Sequence, residues 1–180
     1  RNMEDVGYNT NQIARSLKIS VGSAFKILKG LEKDNLVISK NIGNAINYTL
    51  DLNNAETVKI CELLLLEERR KLIGYAKLYG DNLRIFEKAE LIILFGSVLT
   101  KKEFSDIDVL FVTNKIKDVN DFCLELSNLR TKPVVPLIIK KEDLVKEIKI
   151  KKESIISLIK EGIILRGESI FIEVIKNAKR

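Results

Sequence analysis

The chain has 180 residues, 46% of them hydrophobic and 31% charged, which suits one large packed domain or two small ones and excludes a disordered chain. Its 31 Lys and Arg outnumber 25 Asp and Glu, a formal net charge of +6 that permits a nucleic-acid or nucleotide partner without establishing one. The sequence contains no histidine, which excludes a His/Cys zinc site and every His-based triad.

No apolar run approaches the roughly 20 residues a membrane helix needs. The longest, at 63–66 and 91–95, are core-sized. No signal peptide is legible, and the first residue is Arg1 rather than Met, which leaves open what precedes it. Cys61 and Cys123 stand too far apart for a metal-ligand pair and read as free thiols in a reducing compartment. The expectation is a cytoplasmic protein with no membrane partner.

Three regions separate by pattern: 1–54, 55–89 and 90–180. In the first, residues 10–17 read as a short helix with Ile13, Ala14 and Leu17 on one face. A turn follows at Lys18-Ile19-Ser20. Ser20 is a natural N-cap for a second helix reaching about Asp34, with Ala24, Ile27, Leu28 and Leu31 as its buried stripe. Asn35 suits the left-handed conformation that ends a helix. Leu36-Val37-Ile38 then starts a strand, Asn41-Ile42-Gly43-Asn44 is rich in turn formers, and residues 46–50 return.

Ile13-Ala14-x-x-Leu17-x-Ile19-Ser20, followed by Leu28-x-x-Leu31-Glu32-x-x-Asn35-Leu36-Val37, resembles the winged helix-turn-helix of prokaryotic transcription regulators. The resemblance implies a second helix in the major groove of double-stranded DNA and a hairpin wing along its backbone. Carried over by position, Ser20, Ser23, Lys26 and Lys29 face DNA, with Lys40 on the wing. Lysines there contact phosphates and give salt-dependent affinity. The first helix of such a module has room only as a remnant within residues 1–9. Val21, Gly22 and Phe25 occupy positions where arginine or glutamine reads bases. A winged helix used for protein contacts is therefore the alternative.

Residues 55–89 read as one connecting helix starting after Asn53-Asn54, with Val58, Cys61, Leu65, Leu72, Tyr75 and Tyr79 at helical spacing and an end near Gly80. Val58, Leu65, Leu72 and Tyr79 lie seven apart. That stripe serves either packing between the domains or the seam of a homodimer.

In the third region, Leu91-Ile92-Ile93-Leu94-Phe95 is a continuous apolar run of strand length, as for a strand buried on both faces. It stops at Gly96-Ser97, where glycine lets backbone approach a ligand and the turn can offer amides and a hydroxyl to phosphate. Further on, Asp106-Ile107-Asp108 opens a hydrophobic strand. Residues two apart share a strand face, so the carboxylates point one way and Ile107 the other. Side by side they repel unless a cation neutralises them, and magnesium takes oxygen ligands while leaving room for substrate phosphates.

Gly96-Ser97, eight residues, then Asp106-x-Asp108 resembles the polymerase-β-type nucleotidyltransferase superfamily, above all its small prokaryotic members. The resemblance implies that Gly96 and Ser97 hold a nucleoside triphosphate and that Asp106 and Asp108 are the metal-binding, catalytic carboxylates for transfer of a nucleoside monophosphate. The family also carries a third carboxylate on a later strand. Here that strand is Val134-Val135-Pro136-Leu137-Ile138-Ile139, without an acid, and Glu142 and Asp143 fall where the next helix begins. Pro136 points to an edge or a bend. Helices are expected over 141–148 and 153–163, and Gly162-Ile163-Ile164-Leu165-Arg166-Gly167 resembles the closing segment of the same family.

The expected fold class is α+β: an N-terminal winged helix-turn-helix, a connecting helix, and a C-terminal nucleotidyltransferase-like domain with a small mixed sheet. The function these resemblances imply is a magnesium-dependent nucleotidyltransferase coupled to a DNA-binding module. Two alternatives stand beside it: a transcription regulator whose transferase domain only binds nucleotide, and an antitoxin-type enzyme that modifies a protein acceptor.

Overall fold

The computed structural model describes residues 7–179, which fall into two units dividing between Cys61 and Glu62. Each mixes helix with strand and holds one small sheet.

The N-terminal unit begins with β1 (Tyr8–Asn9), α1 (Thr10–Leu17) and α2 (Val21–Lys33), continues through β2 (Val37–Ile42) and β3 (Ala45–Leu50), and ends in the first part of α3 (Ala55–Arg70). Local side-chain chemistry sets its boundaries. Asn9 and Gln12 form a reciprocal capping box at the start of α1, and Ser20 Oγ accepts the Ser23 amide at the start of α2. Lys18 and Asn35 take left-handed backbone after the two helices. The two-residue turn Gly43-Asn44 joins β2 to β3, with Ile42 opposite Ala45. The sheet runs in the order β1-β3-β2, all antiparallel. Leu28, Val37 and Tyr48 form its core, with Ile13 and Leu31 packed against them.

Two expectations for this unit are corrected. Ile27, assigned to the buried stripe of α2, is 52% exposed, and Leu17, set on one face of α1 with Ile13 and Ala14, is 60% exposed. Of residues 1–9, where a helical remnant is expected, 1–6 lie outside the described residues and Tyr8–Asn9 form the short strand β1.

The single helix expected over 55–89 is two helices, α3 and α4 (Gly74–Leu83). They are broken because Ile73 is extended and Gly74 takes φ +56°, a left-handed backbone that ends helical propagation. The stripe at 58, 65, 72 and 79 is therefore no continuous seam; Leu72 and Tyr79 belong to the core of the C-terminal unit.

That unit continues with β4 (Leu91–Phe95), α5 (Ser97–Thr100), β5 (Ile107–Val112), α6 (Ile116–Leu129), β6 (Val134–Ile139), α7 (Lys141–Lys149), α8 (Glu153–Glu161), β7 (Ile163–Arg166) and α9 (Glu168–Ala178). Helix α8 ends two residues short of expectation because Ile163 enters β7. The sheet order is β6-β5-β4-β7, with β5 and β6 parallel and the other pairs antiparallel. Strand alternation divides the core. Ile92, Leu94, Ile107, Val109 and Phe111 face α4 and α6, where they meet Tyr79, Leu83, Val119 and Cys123. Leu91, Ile93, Leu110 and Val112 have the opposite parity and are fully buried, and α9 packs on β4 and β7. Burial pushes the Cys123 thiol up to about 12, while Cys61 is only partly buried. Arg69 Nη1 donates to Leu165 O (2.5 Å) and to Glu168 (2.6 Å), fixing the end of α3 to β7 and α9. No described helix is long and apolar enough to cross a membrane.

Candidate functional site

Strand β4 runs out at Phe95, which stands opposite Asp108 in the antiparallel register of β5. The next residue, Gly96, takes φ +81° and ψ −157°, a conformation that L side chains rarely adopt. Space enforces the same choice. A Cβ at Gly96 would fall inside the van der Waals surface of Asp108 Oδ2, 3.0 Å from its Cγ and 3.2 Å from its Cβ. Ser97 then opens α5, whose short turn is closed by the Lys101 amide donating to Ser97 O (2.8 Å).

Ile107 is fully buried in β5; Asp108 follows it in the strand and Asp106 immediately precedes the strand, both partly exposed. Ser105 Oγ donates to Asp106 Oδ1 (3.0 Å). Burial, and then the neighbouring Asp106 charge, raise the Asp108 carboxyl above the ordinary aspartate value. The chain thus brings Gly96, Asp106 and Asp108 to one end of two adjacent strands, with Ser97 one residue along. Two carboxylates suit magnesium, which usually completes its shell with water and substrate phosphates. Among the described residues no group of three His, Cys, Asp or Glu could hold a metal. Across from Asp108 on β6 stands Val135, and Glu142 and Asp143 lie in the first turn of α7.

In the N-terminal unit, Ser20, Ser23, Lys26, Lys29 and Lys40 are all exposed. The two serine hydroxyls are engaged at the helix start, 2.8 Å apart. Lys29 Nζ donates to Glu32 Oε2 at 2.7 Å, a bond that raises its pKa and keeps it charged. Beside these cations lie exposed Leu17, Val21, Phe25 and Ile27, with Lys29 Nζ 5.9 Å from the Phe25 ring centre. The outer surface of α2 is half cationic and half apolar.

A constellation that sequence reasoning missed adjoins Asp106. Tyr75, Lys102, Glu103, Phe104, Ser105 and Lys132 line an open cleft of about 560 Å³. In the sequence the 101–105 stretch is merely a polar connection, and nothing local brings Tyr75 or Lys132 to it.

Compared with protein-family models, curated proteins and solved structures, the chain matches none.

Proposed function

We propose that the chain is a magnesium-dependent nucleotidyltransferase joined to a DNA-binding winged helix-turn-helix. The observation that carries this reading is the closure of Gly96 against Asp108. The phosphate-gripping turn and the carboxylate pair form one site, in which the glycine has no room for a side chain. Asp106 and Asp108 would hold the metal, which would supply positive charge to neutralise the triphosphate and the leaving pyrophosphate. The Gly96-Ser97 turn lets phosphate oxygens approach backbone amides and the Ser97 hydroxyl. The raised Asp108 pKa reflects a carboxylate set against burial and a like charge, a pairing that a cation relieves.

Val135 supports a second reading. With an apolar residue across from Asp108, the acceptor hydroxyl lacks a carboxylate on β6 to take its proton. In this reading the domain binds nucleotide without turnover and the protein is a nucleotide-sensing regulator. Incubation with each labelled nucleoside triphosphate and magnesium, with and without cell extract, separates the two. Label transfer or pyrophosphate release is expected of the transferase, saturable binding without turnover assigns the sensor, and no binding defeats both.

For the N-terminal module, Lys26→Ala with Lys29→Ala should weaken DNA binding and lower the slope of log affinity against log salt by about 1 to 2. Affinity and slope matching the unaltered protein would defeat the DNA-binding role of this helix.

A further inference from the structure

The cleft beside Asp106 joins aromatic surface to positive charge in a volume of about 560 Å³, within the range of small-molecule sites. Tyr75 is 46% exposed and meets Phe104 edge-on at 5.4 Å. Lys132 Nζ lies 5.6 Å from the Phe104 ring centre. Lys102 and Lys132 give two cations against one acid, Glu103.

The cleft is also held in shape. The Tyr79 hydroxyl donates to Lys132 O (2.8 Å) and accepts from Lys132 N (2.9 Å), so a fully buried phenol on α4 clasps both backbone groups of one lysine. On either side, Arg130 donates to Asn82 Oδ1 and the Val134 amide to Ser127 Oγ. These bonds fix the backbone at Lys132, and so the point from which its side chain reaches over Phe104.

A planar ring face beside two cations suits a ligand that is planar at one end and anionic at the other. We propose that this cleft binds one nucleotide unit, its base stacked on Tyr75 and its phosphate met by Lys132 and Lys102. Ser105, which lines the cleft, donates to Asp106, so the bound unit lies next to the carboxylate pair. That it serves as acceptor rests on the transferase reading; its binding does not. The unit is either a free mononucleotide or the end of a single strand, which present the same chemistry.

The test is calorimetric titration of the full chain in EDTA with AMP, with UMP, and with a 5′-phosphorylated single-stranded hexanucleotide. Binding is expected, weakened about tenfold by Tyr75→Ala or Lys132→Ala and kept by Tyr75→Phe. A hexanucleotide tighter than either mononucleotide identifies a strand end, and equal affinities identify the free nucleotide. No binding by the unaltered protein, or unchanged binding by both alanine variants, overturns the proposal. Cleft binding in EDTA beside magnesium-dependent triphosphate binding that does not depend on Asp106 and Asp108 would fell the transferase reading and leave the cleft standing.

Discussion

Gly96→Ala should abolish magnesium-dependent triphosphate binding and destabilise the C-terminal unit by about 1–3 kcal/mol. Two independent costs meet at this residue. The backbone at φ +81° is strained for any L side chain, and the added methyl collides with the Asp108 carboxylate. The unit can relieve the collision only by turning Asp108 away or by moving the turn after β4, and either disassembles the site. Denaturant unfolding and nucleotide titration of the same sample check both halves. The double variant Gly96→Ala/Asp108→Gly separates the costs: it should recover part of the stability, because the collision is gone, and none of the binding. Alanine binding as well as glycine would mean that the turn and the carboxylates do not work together.

Asp106→Asn/Asp108→Asn should eliminate magnesium-dependent nucleotide binding and yet raise stability when magnesium is absent. The sign follows from the raised Asp108 pKa. Between its unfolded and folded values the folded state holds the extra proton, so stability falls as pH rises through that window and the penalty is complete at neutral pH. Below the unfolded aspartate value, about pH 4, the penalty vanishes and the variant should gain nothing. Asp108 is partly exposed, so solvent screens the effect, and a rise in melting temperature of about 1–3 °C at pH 7 is expected. Thermal melts in EDTA from pH 3.5 to 7.5 measure it. A variant that is less stable at pH 7 would show that the carboxylates are structural partners rather than a charge pair awaiting a cation. Adding magnesium should stabilise the unaltered protein alone.

Local signals carried much of this fold. Ser20 and Asn35 bound α2 because capping depends on a residue and its next few neighbours. The apolar run of β4, the glycine at its end and the place of Asp108 opposite Phe95 follow from local pattern and strand geometry, whereas Asp106, expected within the strand, stands just before it. Ile27 was misread because helical spacing sets it about 60° from Ala24, at the rim of the stripe, where the extent of the covering layer decides burial. The break between α3 and α4 turns on Gly74, which a helix tolerates at modest cost, so periodicity runs through it unmarked. The cleft was least readable. Tyr75, Phe104 and Lys132 come from three segments, and only the packing of α4 beside the loop before β6 brings them together.

The contrast between the two cysteines offers a practical handle. Cys123 lies in the core with its thiol pushed to about 12, so it has almost no thiolate at neutral pH and no path to reagent. Cys61, whose thiol burial also raises, is partly exposed and therefore within reach of reagent, and it stands at the last residue before the boundary between the units. A maleimide fluorophore or spin probe added to the unaltered chain should therefore attach at one place. Without any substitution, it would report whether adding a nucleoside triphosphate and magnesium alters the surroundings of that junction.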